Sequence, residues 1–262
     1  MKMSTKIAPQ GSALKLPTEP STPETDLGMY SILLYGEPKV GKTSLAAQFP
    51  DVFGLMFEPG ARALKMYQQE VHSWVDFKSY LDLLEKSPSR FKTLLVDTVD
   101  VAYQNCLAYV CKQEGFDHPA DEGYGKGWNK VNTEFNSQVR RILKMGRGVI
   151  FTSHAAEKDI KTRLGEEYTK IVPTMTGGAR ATCETLVDIW VYMAHDKVGR
   201  TLRLRGNDHI ACGHRLQENF VGLETIPAGK DARTAYENLV AAFNNKLKLE
   251  PAPRVKLQLG KH

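Results

Sequence analysis

Five short apolar runs punctuate the chain, at Ser31–Tyr35, Val52–Phe57, Thr93–Val96, Gly148–Thr152 and Leu186–Met193. Each has strand length, and each is apolar enough to be buried on both faces, the pattern of a parallel sheet covered by helices. Amphipathic segments lie between several of them. The clearest places Trp128, Val131, Phe135, Val139, Ile142 and Leu143 on one helical face, as a helix packed on a sheet requires. Alternating strands and helices predict an α/β fold, a mostly parallel sheet flanked by helices. Beyond Met193, RTLRLRG and HIACGHR read as shorter, more polar strands, antiparallel additions on the C-terminal side, and Lys230–Leu247 as a closing helix. No internal repeat is visible.

With 262 residues, 42% of them hydrophobic, the chain can fill one full-sized core. No apolar run approaches the ~20 residues that cross a bilayer, and no apolar leader opens the chain. The expected location is therefore cytoplasmic, without a membrane partner, and the four cysteines are expected as reduced thiols. Residues 1–28, rich in Pro, Ser, Thr and Lys, predict a mobile arm before a folded domain at 29–247. The last residues, 248–262, predict a basic flexible tail. From Lys246 onward, Lys246, Lys248, Arg254, Lys256 and Lys261 stand against Glu250 alone, within a net charge of +5. Such a tail suits either a polyanion or simple solubility.

The candidate chemistry begins after the first run. Gly36, Glu37, Pro38, Lys39, Val40, Gly41, Lys42 and Thr43 fit G-x-x-x-x-G-K-[ST], with an apolar strand before and a helical segment, Ser44–Gln48, after. Glycines let backbone N–H groups turn toward the β-phosphate of ATP. Lys42 reaches the β- and γ-phosphates and the Thr43 hydroxyl ligates Mg²⁺. A magnesium site takes a second anchor from the tip of a neighbouring strand, and Asp97 ends the third apolar run. Asp100 competes, but one turn further on it is expected to cap a helix.

AAA+ ATPases commonly place the water-activating glutamate directly after that aspartate, where this chain has Thr98. Glu58 instead ends the strand that follows the phosphate-loop helix, the place of the catalytic glutamate in RecA-type ATPases; the bland reading is a turn begun with Pro59 and Gly60. GVIFTSHAAEKD and TGGARATCETLVDIWVYM extend this likeness, and over Tyr30–Ala194 the chain resembles compact phage-encoded RecA-like ATPases, which are associated with single-strand annealing and recombination. The resemblance implies that His154 senses the γ-phosphate. Gly177, Gly178, Arg180 and Asp188 match the segment whose basic residue reaches a neighbouring subunit's ATP, so Arg180 is either an arginine finger in a homo-oligomer or a surface arginine. It also implies single-stranded DNA at Gly115–Trp128, which holds Tyr124 and Lys126, and at Ala155–Gly178, which holds Lys158, Lys161, Arg163 and Lys170. Glu157, Asp159, Glu166 and Glu167 dilute the second set, and Trp128 begins the apolar helical stripe, where core packing is the favoured role. A single-strand-binding protein is a candidate partner. Two features depart from bacterial RecA: His154 replaces a usual glutamine, and no long N-terminal polymerisation helix is evident.

Two other classes remain open: an ATP-dependent assembly switch without DNA, and a P-loop kinase. The kinase lacks an arginine-rich lid, since Arg140, Arg141 and Arg147 fall on a helix and its end. Cys106 is expected in the core, Cys111 five residues on does not share its helix face, and Cys212 lacks a partner pair at zinc-ligand spacing, so no metal beyond Mg²⁺ is expected.

Overall fold

The computed structural model describes residues 16–248 apart from 88, 89, 164, 176 and 198. Residues 1–15 of the expected arm and 249–262 of the expected basic tail lie outside the described residues. The strands are β1 (Ser31–Gly36), β2 (Val52–Met56), β3 (Tyr67–Glu70), β4 (Thr93–Asp97), β5 (Gly148–Lys161), β6 (Glu167–Pro173), β7 (Ile189–Asp196), β8 (Gly199–Arg203), β9 (Gly213–His214) and β10 (Thr225–Pro227). The helices are α1 (Lys42–Ala46), α2 (Trp74–Lys86), α3 (Val99–Glu114), α4 (Lys126–Leu143), α5 (Gly177–Leu186) and α6 (Ala232–Phe243).

The strand order is β10-β8-β7-β1-β5-β4-β2-β3. From β7 to β3 every pairing is parallel, and β8, β9 and β10 add antiparallel on the C-terminal side. The fold is thus α/β with a mostly parallel sheet. Alternation along each strand divides the core. Leu33, Leu94, Val96, Val149 and Phe151 face α2–α5, whereas Ile32, Leu34, Leu95 and Ile150 face α1 and α6. Helix α2 follows the same logic from its own side. Ser73 caps it by accepting from the Asp76 N–H at 3.1 Å, and Trp74, Phe77, Leu81 and Leu84 form its buried stripe.

Several boundaries differ from the sequence expectation. The apolar run at Leu186–Met193 contains a helix end and a strand start, because α5 continues to Leu186 and β7 begins at Ile189. Helix α1 starts and ends two residues earlier than Ser44–Gln48, and α6 is shorter than Lys230–Leu247. Of HIACGHR only Gly213–His214 is a strand. On α4, Val131, Phe135, Val139 and Ile142 are buried, while Trp128 and Leu143 are half-buried at its two ends.

Register fixes what the site receives. Gly36 pairs with His154, Val96 with Phe151, and Met56 with Asp97. The carboxyl-terminal tip of β1 is therefore level with His154 inside β5, and those of β4 and β2 are level with each other, so that Gly36, His154, Asp97 and Glu58 are delivered along that edge of the sheet.

Candidate active site

Gly36 leaves β1 under the carbonyl of Met193 on β7. A Cβ at that position would lie 2.2 Å from the carbonyl oxygen, so only glycine lets the two strands pair this closely at the mouth of the loop. The chain then turns through Glu37, Pro38, Lys39 and Val40 to Gly41, whose φ of +112° is a left-handed conformation that costs glycine nothing sterically. Lys42 follows at 6% exposure. Its Nζ donates to the carbonyls of Gly36 and Glu37 at 3.0 and 2.9 Å. Burial lowers the pKa of its ammonium, and the carboxylates of Asp97, Glu58 and Asp100 act in the opposite direction. The loop, with Lys39, Thr43 and Ser44, forms one wall of a cleft of about 560 Å³, and Glu58, Pro59, Gly60, Asp97, Thr98 and His154 line the rest.

Asp97 is buried at the tip of β4 and held at both oxygens. Thr43 Oγ1 donates to Oδ2 at 2.7 Å, and Thr152 Oγ1 on β5 donates to Oδ1 at 2.5 Å. A hydroxyl and a carboxylate oxygen at one point are the hard oxygen donors that suit Mg²⁺, so the residues present fit that ion. Thr152 had no assigned role in the sequence. Its only signal was a polar residue at the end of an apolar run.

Glu58 is the second carboxylate at the cleft. Its Oε1 accepts from Thr98 Oγ1 at 2.9 Å, and its Oε2 lies 3.3 Å from His154 Nε2. A carboxylate partner places the His154 proton on Nε2. The threonine found where other P-loop proteins carry a glutamate thus holds a glutamate supplied by the next strand.

Other candidates stand apart from this cleft. Arg180 lies on α5, donates to Glu184 Oε1 at 3.4 Å and is not among the residues lining the cleft. Asp188 precedes β7 and accepts from the Ser31 N–H and hydroxyl at 3.1 and 2.6 Å, joining β7 to β1. Asp100 is not the helix cap expected of it: the N-cap position of α3 falls on Thr98, and the Asp100 carboxylate accepts from the hydroxyls of Ser153 and Thr174 instead.

Tyr124 is fully exposed between Gly123 and Gly125, at φ 59°, and Lys126 opens α4 beside it. Lys158, Lys161 and Arg163 belong to the antiparallel hairpin of β5 and β6 and its turn. Its register separates the charges that the sequence mixes. Lys158 is directly opposite Lys170, and Ile160 opposite Tyr168, on one face. Glu157, Asp159, Lys161, Glu167 and Thr169 occupy the other, where Lys161 pairs with Glu167 at 3.0 Å and Asp159 accepts from Thr169 at 2.9 Å. Lys161 therefore belongs with the acidic face. The Tyr168 ring meets His209 edge-on at 6.0 Å.

A phosphate-type loop between strand and helix, a buried lysine, a hydroxyl–carboxylate pair, and β5 inserted between β1 and β4 together define a P-loop NTPase domain. More particularly, the chain belongs to the AAA domain family AAA_24, whose match spans residues 29–216. It is also similar to the SPbeta prophage-derived uncharacterized protein YorG of Bacillus subtilis (strain 168), with 33% identity over 132 residues. That alignment covers 48% of this chain and 41% of YorG, so the chain spans about two fifths of that relative's length. Among solved structures it is similar to the KaiC-like protein PH0186 of Pyrococcus horikoshii OT3, at 15% identity and a TM-score of 0.41, over 72% of this chain and 83% of that one.

Proposed function

We propose that this protein binds ATP with Mg²⁺, hydrolyses it, and acts as a homo-oligomer on single-stranded DNA in phage recombination or annealing. The observation that carries the reading is the 2.7 Å contact of Thr43 with Asp97, in the same cleft as Lys42 and a doubly held Glu58. Lys42 and the loop N–H groups hold the phosphates, with Ser44 following them at the start of α1. Thr43 and Asp97 hold Mg²⁺, which when bound neutralises charge on the β- and γ-phosphates. Glu58 orients and polarises the attacking water, and Thr98 and His154 hold Glu58 for that task. His154, level with Gly36, registers the γ-phosphate. Arg180 reaches a neighbour's nucleotide rather than its own, a role in keeping with its place outside the cleft.

The nucleic-acid part draws support from the face of the hairpin that carries Lys158, Lys170 and Tyr168, and from the exposed Tyr124 beside Lys126. Cations follow a phosphate backbone and aromatic rings stack on bases. The prophage origin in YorG's name supports the phage setting. The test is ATP turnover with and without single-stranded DNA, using Lys42→Ala as control. Expected is Mg²⁺-dependent phosphate release that DNA increases and Lys42→Ala abolishes. Binding and assembly on ATP without turnover would instead make the protein a nucleotide switch, and a phosphorylated acceptor would make it a kinase.

A further inference from the structure

We propose that Asp100 is a positioning residue of the nucleotide site, fixing the backbone from which His154 reaches Glu58; the inference rests on the reading of Glu58 as the carboxylate that orients water. Asp100 Oδ1 accepts two hydrogen bonds, from Ser153 Oγ at 3.0 Å and from Thr174 Oγ1 at 2.6 Å. Both donors frame His154. Ser153 precedes it in β5, and its hydroxyl also lies 3.2 Å from the His154 carbonyl. Thr174, just past β6, donates its backbone N–H to that same carbonyl at 2.9 Å, with its hydroxyl 3.4 Å away. One carboxylate oxygen thus ties α3, β5 and the exit of the hairpin together at a single residue, and that residue's ring ends 3.3 Å from Glu58 Oε2.

The surroundings of Asp100 argue against a merely solvated acid at a helix start. Its Oδ2 is buried without a hydrogen-bond partner among the described residues, and so is Nδ1 of His154. Burying such atoms unpaired is costly, and a fold keeps them buried where position matters. Burial raises the pKa of Asp100, while the Thr174 and Ser153 hydroxyls, its own backbone N–H and the nearby His154 lower it. The carboxylate is neither part of the Thr43–Asp97 pair nor among the cleft-lining residues; apart from its charge acting on Lys42, its hydrogen bonds reach the cleft through His154.

The test compares Asp100→Ala and Asp100→Asn by steady-state ATP turnover, by nucleotide affinity and by the imidazole nitrogen resonances of His154. Asparagine keeps an acceptor at Oδ1, drops the charge and puts an amide NH2 in place of the unpartnered Oδ2. Expected for Asp100→Ala is a fall in kcat of roughly tenfold or more with nucleotide affinity nearly unchanged, since the lost placement matters in the transition state. The His154 resonances should shift, and Asp100→Asn should restore most of the turnover. If alanine prevents folding, Thr174→Val removes one of the two hydroxyls alone and should lower kcat in the same direction. Wild-type kcat and unshifted resonances in Asp100→Ala, or no rescue by asparagine, would overturn the inference. Glu58→Gln measured alongside separates the two layers. Full turnover in Glu58→Gln means that the reading of Glu58 fails, whereas slow Glu58→Gln beside wild-type Asp100→Ala means that only the role of Asp100 fails.

Discussion

Thr98 Oγ1 donates to Glu58 Oε1 at 2.9 Å, joining the residue after the Asp97 strand tip to the carboxylate of the neighbouring strand. The cleft therefore combines two carboxylates with separate partners. Asp97 is held by Thr43 and Thr152, and Glu58 by Thr98 and His154. The first arrangement suits a metal ion and the second a water molecule.

Glu58→Gln is expected to leave ATP binding intact and to slow turnover by about 10²–10⁴-fold, the usual worth of a positioned acid–base group. Phosphate release and titration with a fluorescent nucleotide measure the two effects separately. Weakened binding with unchanged kcat would place Glu58 in recognition rather than catalysis.

Thr152→Val keeps the shape of a fully buried side chain and removes its hydrogen bond to Asp97. Groups that orient a metal ligand typically matter by about 10–100-fold. The Mg²⁺ concentration for half-maximal turnover is expected to rise by about that factor. Magnesium titrations of wild type and variant check it, and an unchanged midpoint would mean that Asp97 needs no such support.

Arg180→Ala is expected to lower kcat far more than ATP affinity, because a finger acts on charge developing in the transition state. Mixing it with Glu58→Gln should restore part of the turnover, since some interfaces then pair an intact glutamate with an intact arginine. Activity per subunit should also rise with protein concentration. Mixtures that co-assemble without recovery would place Arg180 outside the site.

Gly36→Ala inserts a methyl group where a backbone carbonyl lies 2.2 Å away. Overpacking of this kind costs about 1–3 kcal/mol, and more where backbone must move. At roughly 2–4 °C per kcal/mol for a chain of this size, a calorimetric Tm should fall by several degrees. Nucleotide binding should weaken as well, because the loop leaves β1 at that residue.

What could be read from the sequence was what is local in the chain. The loop from Gly36 to Thr43 is contiguous, and Asp97 ends an apolar run, so both stand out without any knowledge of pairing. The strand β3 was not legible, because Tyr67–Glu70 is exposed throughout and lies at the sheet edge, where no apolar run is needed. The end of α5 and the start of β7 merged into one apolar run because Leu186, Val187 and Ile189 all pack against the core. Partners within the site were hidden for a different reason. Thr98 meets Glu58 from 40 residues away, Thr152 meets Asp97 from 55, and His154 meets Glu58 from 96. Only strand order and register bring them together. The hairpin's charges looked mixed for the same reason, since its two faces exist only once Lys158 is set opposite Lys170.

The continuity of β5 also limits how this protein can evolve. The strand runs from Gly148 to Lys161, first within the parallel sheet and then along the hairpin. Because side chains alternate, Thr152, His154, Lys158 and Ile160 share one parity, while Ser153, Glu157 and Asp159 share the other. A single inserted or deleted residue after His154 would exchange the hairpin's lysine face for its acidic face while leaving the cleft untouched. Length changes in this stretch should therefore survive in pairs, and homologues with longer or shorter hairpins should differ there by even numbers of residues.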